Sequence, residues 1–488
     1  MNEQNVKTTH KRPLLRALAL LFAVLLPFIL MIIAPFALPD VYGDTFLGEL
    51  SPKLERLRSV EGDKLVVVGG SSVAFGLDSA LLEEYTGYTV VNFGLYATLG
   101  TRLMLDLSLP EIEEGDVVII APELDPQTLS MYFNGEAAWQ AADSDLSLLF
   151  DVHPDNFTDM LLSYPDYLSV ALSRFFSGDG KFDPDGVYRR DSFNEYGDIS
   201  YPREHNVMAA GYDVNQPVSL TPELFEPEFI DYLNGYIDEA QKKGATVYYT
   251  FSPVNRSALT EETDATAIEE FYRFVAASLH CPVISDVNSL LMHEDYFYDT
   301  NFHLNDAGAT VRTANLIADL RREWGNTEPL DIELPAPPQK PAPEEGDGWE
   351  ENEWSSRYVY ENFGGGLMIV GVTEEAKSLA KLEIPYKAEG KVVLAIAESA
   401  FSGCDSLTDV TIYENLSVIK DGAFAGAPSL KNLHIMHSNA DGLTVGDALF
   451  DGAPDALQIC LHTDESYQNF VSGYWWGVHS HRMVKISD

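Results

Sequence analysis

The stretch LVVVGGSSVAFG, residues 65–76, runs from an apolar segment into a turn that carries two adjacent serines. Its first half is rich in β-branched residues, too short for a helix, and followed by two glycines, a pattern that predicts a buried strand. A serine directly after such a strand lies at the carboxyl edge of the sheet, where open α/β sheets bind ligands. Glycine-serine segments are also common in ordinary turns without catalytic function, so other parts of the sequence must show whether a serine here is a nucleophile.

Four more apolar runs have the character of short buried strands: TVVNF (89–93), DVVIIAP (116–122), ATVYYTF (245–251) and PVISDV (282–287). Between them lie segments with a 3.6-residue apolar period, and one of these ends in Lys-Lys-Gly, as a helix terminus does. Alternation of strands and helices predicts an α/β fold in which helices cover both faces of a parallel sheet.

The amino-terminal segment, residues 17–38, contains no charged residue and is long enough to cross a bilayer as a helix. Lys7, Lys11, Arg12 and Arg16 precede it, so the positive-inside rule places residues 1–16 in the cytoplasm and the bulk of the chain outside. We therefore expect an uncleaved, single-pass signal-anchor in the cell membrane. A cleaved signal peptide is the alternative, although the Pro35-Phe36 pair interrupts a small-residue cleavage site.

The charge balance and the cysteines exclude several classes of protein. With 31 Lys and Arg against 76 Asp and Glu, the formal net charge is −45, which repels nucleic acid. The three cysteines, Cys281, Cys404 and Cys460, form no CxxC pair and indicate neither a disulfide framework nor a zinc site. No glycine-rich nucleotide motif occurs, so we expect no cofactor and no metal.

The 488 residues exceed what one hydrophobic core usually serves. We expect an α/β domain at 45–325, with a less regular insertion at 130–225 that walls a pocket. Residues 326–350 are rich in Pro and Glu and predict a semi-rigid linker that keeps this domain apart from a second one at 351–488.

The second domain is repetitive. AFSGCDSL (400–407) recurs as AFAGAPSL (423–430) and more loosely as LFDGAPDAL (449–457), each followed by a strand-like run. Such a period predicts a solenoid whose units bury their apolar faces against each other. The pattern resembles the BspA-like leucine-rich repeats of bacterial surface proteins over about residues 365–462. We expect the repeated Phe and Leu side chains to face inwards and YQNFVSGYWWG, near the end, to cap the last repeat.

Two motifs of the α/β domain point to one chemistry. Gly70-Ser71-Ser72 follows the first strand, and YFYDTNFHLNDAGA (296–309) precedes the last predicted helix. Together they resemble the first and last blocks of the SGNH (GDSL-type) hydrolase superfamily, Gly-Asp-Ser and Asp-x-x-His. A Gly-Ser-Ser start also occurs in membrane-anchored relatives that handle cell-envelope acyl groups. The resemblance implies a flavodoxin-like, three-layer α/β fold with Ser72 as nucleophile, His303 as base and Asp299 as orienter, although Asp299 and His303 are spaced by four residues instead of three.

The resemblance also implies an oxyanion hole. VVNFGLYATLG (90–100) matches the second block, so the backbone N–H groups of Gly94 and Ser72 are the expected donors. The third block, Gly-x-Asn-Asp, is missing, and Glu123 and Asp125 stand where its asparagine donor is expected. A carboxylate donates no hydrogen bond unless it is protonated. Asp151 with His153, and the LMHED run around His293, are poorer alternatives because no matching serine or metal ligand stands near them in the sequence.

These observations predict a membrane-anchored extracellular serine esterase or O-acyltransferase that acts on envelope polysaccharide or another acylated polymer, with repeats that bind the surface or a protein ligand. Hydrolysis and transfer differ only in whether water or a sugar hydroxyl accepts the acyl group. The alternative is a surface adhesion or scaffold protein whose α/β domain has lost activity and whose function lies in the repeats.

Overall fold

The computed structural model describes residues 16–17, 19–27, 38–326, 328–341, 346, 348–440, 442–446, 448–473 and 476–486. The expected cytoplasmic segment therefore lies outside the described residues except for Arg16, as do residue 18 and residues 28–37 of the expected anchor. Residues 19–27 are helical. Among the residues that the structure describes, no helix combines the length and the apolar character needed to cross a membrane.

A parallel sheet with the strand order β2-β1-β3-β4 forms the centre of the first domain. The four strands are β1 (Lys64–Gly69), β2 (Thr89–Gly94), β3 (Val117–Ala121) and β4 (Thr246–Tyr249). Val283 extends the sheet through a parallel bridge to Tyr249. All five runs predicted as strands thus contribute to one parallel sheet, and the α/β class is confirmed.

Helices cover both faces because alternate residues of each strand point to opposite sides. Val66 and Val68 of β1 belong to one apolar core, and Leu65 and Val67 belong to another. The helices of this domain are α1 (Leu50–Ser59), α2 (Ser71–Phe75), α3 (Ser79–Thr86), α4 (Thr101–Ser108), α5 (Gly135–Ala142), α6 (Phe157–Ser177), α7 (Pro227–Lys242), α8 (Ala265–Ser278), α9 (Val287–Leu290) and α10 (Asp306–Glu323). Helices α3 and α10 contribute to the second core, and α1, α4, α7 and α8 to the first.

A two-stranded parallel pair, β5 (Val254–Asn255) with β6 (Leu291–Met292), lies outside the main sheet. The predicted insertion at 130–225 contains α5 and α6, which pack against each other through Trp139 and Tyr167, whose rings are stacked. The insertion therefore has its own apolar contacts and is not a loose loop.

The second domain is built from two mostly parallel sheets, with orders β15-β13-β11-β8-β7 and β17-β16-β14-β12-β9. Its strands are β7 (Tyr358–Phe363), β8 (Gly366–Val372), β9 (Lys381–Glu383), β10 (Lys387–Ala388), β11 (Lys391–Ile396), β12 (Asp409–Ile412), β13 (Val418–Ile419), β14 (Asn432–Ile435), β15 (Thr444–Val445), β16 (Gln458–Leu461) and β17 (Met483–Lys485). Phe401, Phe424 and Phe450 stack in a ladder, with ring centroids 5.5 and 6.0 Å apart. The inward-facing positions expected from the repeat are buried: Phe401, Leu407, Val410, Ile412, Phe424, Leu430, Leu433 and Ile435.

The end of the solenoid differs in detail from the expected cap. Helix α11 (Asp464–Ser472) and the buried Trp476 follow β16, and Trp476 donates to the carbonyl of Leu443 at 2.9 Å. The chain then returns as β17, which pairs with β16, so the helix is followed by one more strand of the sheet. Tyr474 and Trp475 of the expected cap lie outside the described residues.

The expected separation of the two domains is contradicted. The Asn215 side chain donates to the carbonyl of Ile419 at 3.1 Å and accepts from the N–H of Asp421 at 3.2 Å. The described linker residues run along the α/β domain, where Tyr85 and Tyr296 donate to linker carbonyls. Proline content makes a linker stiff, but its carbonyls still accept hydrogen bonds, so a stiff segment also docks.

Candidate active site

A serine, a histidine and an aspartate form one hydrogen-bonded chain at the carboxyl end of β1. Ser71 Oγ lies 2.8 Å from Nε2 of His303, and Nδ1 of His303 lies 2.9 Å from Oδ1 of Asp299. With the proton on Nδ1, the imidazole donates to the carboxylate and accepts from the hydroxyl. This is the arrangement of nucleophile, base and orienter that activates a serine.

The serine that contacts His303 is Ser71 and not Ser72, the residue expected from the sequence. Ser72 Oγ is buried and has no hydrogen-bond partner among the described residues. Helix α2 begins at Ser71, directly after Gly70. Because consecutive helical residues are rotated by about 100°, only one of two adjacent serines faces His303.

The four-residue spacing between Asp299 and His303 does not separate them. Phe297 and Leu304 form an antiparallel bridge, and the N–H of Tyr298 donates to the carbonyl of His303 at 2.8 Å. The segment therefore folds back on itself like a hairpin, which brings Asp299 opposite the imidazole. The extra residue is absorbed in the turn, and the carboxylate stays within hydrogen-bond distance.

Tyr188, which the sequence did not indicate, completes the surroundings of Asp299. Its hydroxyl donates to Oδ2 of Asp299 at 2.6 Å and lies 3.4 Å from Nδ1 of His303. Tyr188 belongs to the insertion at 130–225, whose aromatic content was the only signal for it. The two oxygens of Asp299 are thus held by different donors, which fixes the carboxylate.

The imidazole is also held from the side. The Phe75 ring stacks on His303 with a centroid distance of 4.0 Å and an interplanar angle of 6°. Buried Arg203 donates to the carbonyls of Phe75 at 2.7 Å and of Leu304 at 3.1 Å, and pairs with Asp306. Burial lowers the pKa of Arg203, which its contact with Asp306 opposes. One guanidinium therefore joins the serine helix to the histidine loop.

The two expected oxyanion donors are both engaged by protein groups. The N–H of Ser72 donates to Oε1 of Glu123 at 2.7 Å, and the N–H of Gly94 donates to Oδ1 of Asn92 at 3.1 Å. The same Glu123 oxygen lies 2.9 Å from Ser71 Oγ. Glu123, found where the third block is missing, thus competes with His303 for the proton of Ser71 and covers the N–H group that follows it.

Asn92 has a structural role. Its amide donates to the carbonyl of Val73 at 2.9 Å and to Asp198 at 2.7 Å. Burial raises the pKa of Asp198, although hydrogen bonds from Ser79 and Asn92 oppose this shift. These contacts fix the end of β2 against α2, and so fix the backbone around the serine.

The site is closed to solvent, because Ser71, Ser72 and His303 are fully buried. A cavity of about 500 Å³ adjoins it through Tyr188, whose ring lines the cavity and whose hydroxyl contacts Asp299. Tyr467 and His481, which follow the repeats, also line this cavity. The cavity is therefore shared by the two domains.

The alternative histidines lie elsewhere and have local roles. His153 and His293 each accept from the N–H group two residues further on, at the start of a short helical turn. Both side chains are exposed, at 46 and 61%. Neither has a described serine partner, so of these three histidines His303 is the one that the structure places against a serine.

The fold and site thus define an α/β protein with a buried Ser-His-Asp chain, followed by a solenoid of parallel strands. Comparison with known families identifies the solenoid: residues 374–457 match the family described as BspA type leucine-rich repeat region, in six copies. The expected repeat class is confirmed for these residues. No curated protein matches the chain.

Proposed function

We propose that the α/β domain is an SGNH-type serine esterase or O-acyltransferase with a flavodoxin-like, three-layer fold, in which Ser71 is the nucleophile. The observation that carries the proposal is the 2.8 Å contact between Ser71 Oγ and Nε2 of His303, backed by Asp299. The strand order β2-β1-β3-β4 and the position of the serine at the end of β1 support it, because ligands of such sheets bind at this edge.

The reaction begins when Ser71 Oγ bonds to the acyl carbon of an ester and its proton moves to Nε2 of His303. Asp299 stabilises the resulting imidazolium through Nδ1–H. As the tetrahedral adduct collapses, the alcohol leaves with the proton from Nε2, and Ser71 carries the acyl group. Water or a sugar hydroxyl then attacks this ester and gives its proton to Nε2, and collapse of the second adduct returns the proton to Ser71.

Catalysis requires two rearrangements in this proposal. A substrate reaches Ser71 only when the residues that bury it move aside. The N–H of Ser72 is able to stabilise an oxyanion only when Glu123 releases it, because a carboxylate at this point repels the developing charge. The closed site is therefore a resting form, and turnover depends on displacement of Glu123.

The adjoining cavity supports a carbohydrate substrate. Tyr42, Tyr96, Tyr188 and Tyr467 line it together with neutral polar side chains. Aromatic rings with hydrogen-bonding edges suit sugar rings, which present both apolar and hydroxyl faces. Glu136 and Asp166 also line it, and no Lys or Arg is among its described lining residues. This charge pattern favours an acylated neutral or amine-bearing glycan over a phosphate-rich polymer.

Labelling of the full chain with a fluorophosphonate tests the nucleophile, with Ser71→Ala and Ser72→Ala as matched variants. We expect Ser71→Ala to lose labelling at least a hundredfold and Ser72→Ala to keep it, since only Ser71 contacts the base. His303→Ala should also lose labelling. If Ser72→Ala lost the label and Ser71→Ala kept it, the assignment of the nucleophile would be wrong.

The second candidate is an adhesion or scaffold protein in which the α/β domain is silent and the repeats bind a surface or a protein. The engaged oxyanion donors favour it. The same labelling separates the two candidates: absence of label from both the parent chain and the Glu123→Gln variant favours the scaffold.

A further inference from the structure

Helix α6 exposes an unusual number of large apolar side chains. Leu161 and Leu162 are each 71% exposed and Phe176 is 80% exposed. The other exposed apolar residues of this region are Phe150, Phe157 and Phe175. Soluble surfaces usually carry large exposed apolar residues singly, whereas several on one short segment mark an interaction site.

The exposed residues share one side of the helix. At about 100° per residue, Phe157, Leu161, Leu162 and Phe176 fall within about 140° of the helix circumference. Leu168 and Leu172, which fall in the same arc, pack on the domain in the second half of the helix, so the exposed residues lie towards its two ends. From Phe157 to Phe176 the apolar face extends about 30 Å. We define this set, together with Phe150 and Phe175, as the α6 apolar face.

The amino-terminal apolar segment ends beside this helix. Leu38 packs against the cluster formed by Tyr42, Tyr167 and Leu168, and Leu172 of α6 contacts the same cluster. Leu38 is also the last residue of the charge-free stretch 17–38. Within that stretch, residues 19–27 are helical and expose their apolar side chains. The α6 apolar face therefore begins where a segment suited to a bilayer ends.

The charges around the helix indicate how the face binds. Asp151, Asp155, Asp159 and Asp166 lie along or beside α6. Arg174 is buried and donates to the carbonyls of Asp179, Gly180 and Lys181. No lysine stands between residues 150 and 177. Helix α6 itself therefore offers no exposed cation to anionic lipid, and insertion of its apolar side chains is the expected mode of binding.

We propose that the α6 apolar face lies in the headgroup and upper acyl region of the membrane that holds the amino-terminal segment. The exposed side chains at both ends of the helix insert into this region, as the apolar side chains of interfacial helices do. Asp166 and Val170, on another side of α6, line the cavity next to the active site. Docking therefore brings the mouth of this cavity to the membrane surface, independently of whether Ser71 is catalytic.

The test uses the full chain reconstituted into phosphatidylcholine vesicles. The three native cysteines are buried, so an introduced exposed cysteine takes a thiol-reactive fluorophore selectively. Leu162→Cys and Phe176→Cys report on the face, and Glu239→Cys, at an exposed position of α7, is the matched control. Lipids spin-labelled near the top of the acyl chain then quench fluorophores that enter the bilayer.

We expect at least threefold stronger quenching at positions 162 and 176 than at 239, unchanged by 0.5 M salt. A Leu161→Ser/Leu162→Ser double variant should reduce the quenching at 176. Equal, weak quenching at all three positions in vesicle-bound protein would overturn the proposal. So would disulfide cross-linking between two Phe176→Cys chains in the vesicles, because a second copy would then cover the face. Since no step requires turnover, these outcomes are independent of the esterase proposal.

Discussion

Replacing Glu123 by glutamine should activate the site. The carboxylate accepts from the N–H of Ser72 at 2.7 Å and lies 2.9 Å from Ser71 Oγ, the atom that must attack the substrate. A glutamine of the same shape keeps one oxygen as acceptor and places an NH₂ donor near the reacting centre. It therefore removes a charge that opposes the oxyanion and supplies a donor of the type that the sequence lacks.

The expected gain in turnover combines two overlapping effects, the loss of charge repulsion and the gain of a hydrogen-bond donor. Two unit charges about 4 Å apart repel by roughly 4 kcal/mol at an effective dielectric constant of about 20. One oxyanion donor changes kcat by about 10²–10³-fold. Since glutamine also has to release the N–H of Ser72, we expect the lower end of this range, an increase of about a hundredfold in ester turnover at pH 7.

The assay is turnover of a short-chain aryl ester, together with the rate of fluorophosphonate labelling, for the parent and Glu123→Gln. Asp125→Asn is the matched control, because it removes a neighbouring carboxylate whose Oδ1 accepts from the N–H of Gln127. A glutamine variant ten times slower than the parent would refute the reasoning and make Glu123 a catalytic base.

Two further predictions concern buried charge. Burial raises the pKa of Asp213 from 3.8 to about 7, and the charges of Asp421 and Asp299 add smaller contributions. Between pH 4 and pH 7 the native state therefore holds a proton that the unfolded chain has released. The free energy of unfolding consequently falls as the pH rises through this range. Asp213→Asn should therefore raise the free energy of unfolding at pH 8 by up to ~4 kcal/mol and leave it unchanged near pH 3.5. Thermal unfolding at the two pH values measures this difference. An equal gain at both pH values would contradict the account. Arg312 is 2% exposed, its three guanidinium nitrogens have no hydrogen-bond partner among the described residues, and burial lowers its pKa to about 10. Arg312→Met should raise the melting temperature by several degrees, and a loss of more than 5 °C would indicate that the guanidinium has a partner in solution.

The sheet and the solenoid were predictable because their patterns are local. Each strand of the main sheet is a short apolar run between turn residues, so its position is readable from the sequence alone. The stacked Phe401 and Phe424 are likewise predicted by a repeat that places the same side chain in each unit. Where burial repeats with a fixed period, few alternatives remain for the fold.

The site was only partly predictable because its contacts join distant segments. The sequence indicates that a serine at the end of β1 meets His303. Whether this is Ser71 or Ser72 depends on the residue at which the helix begins, because adjacent helical residues face different directions. Tyr188 reaches Asp299 from 111 residues away, and no local pattern marks such a contact. The sequence shows Glu123 where an asparagine donor is expected. Its hydrogen bonds to the serine turn, however, depend on backbone positions that the whole sheet sets.

Because the repeats pack against the α/β domain, point substitutions separate the roles of the two domains better than a truncation does. Ala209 and Val214 of the first domain pack with Ala395 and Val418 of the second in one apolar cluster. Removing residues 351–488 would expose this cluster and open the cavity that Tyr467 helps to line. A truncated chain that lost ester turnover would therefore not distinguish a missing cavity wall from a destabilised domain. Point substitutions at cavity positions after the repeats, such as His481→Ala, leave the cluster intact, so a change in turnover there assigns the effect to the cavity.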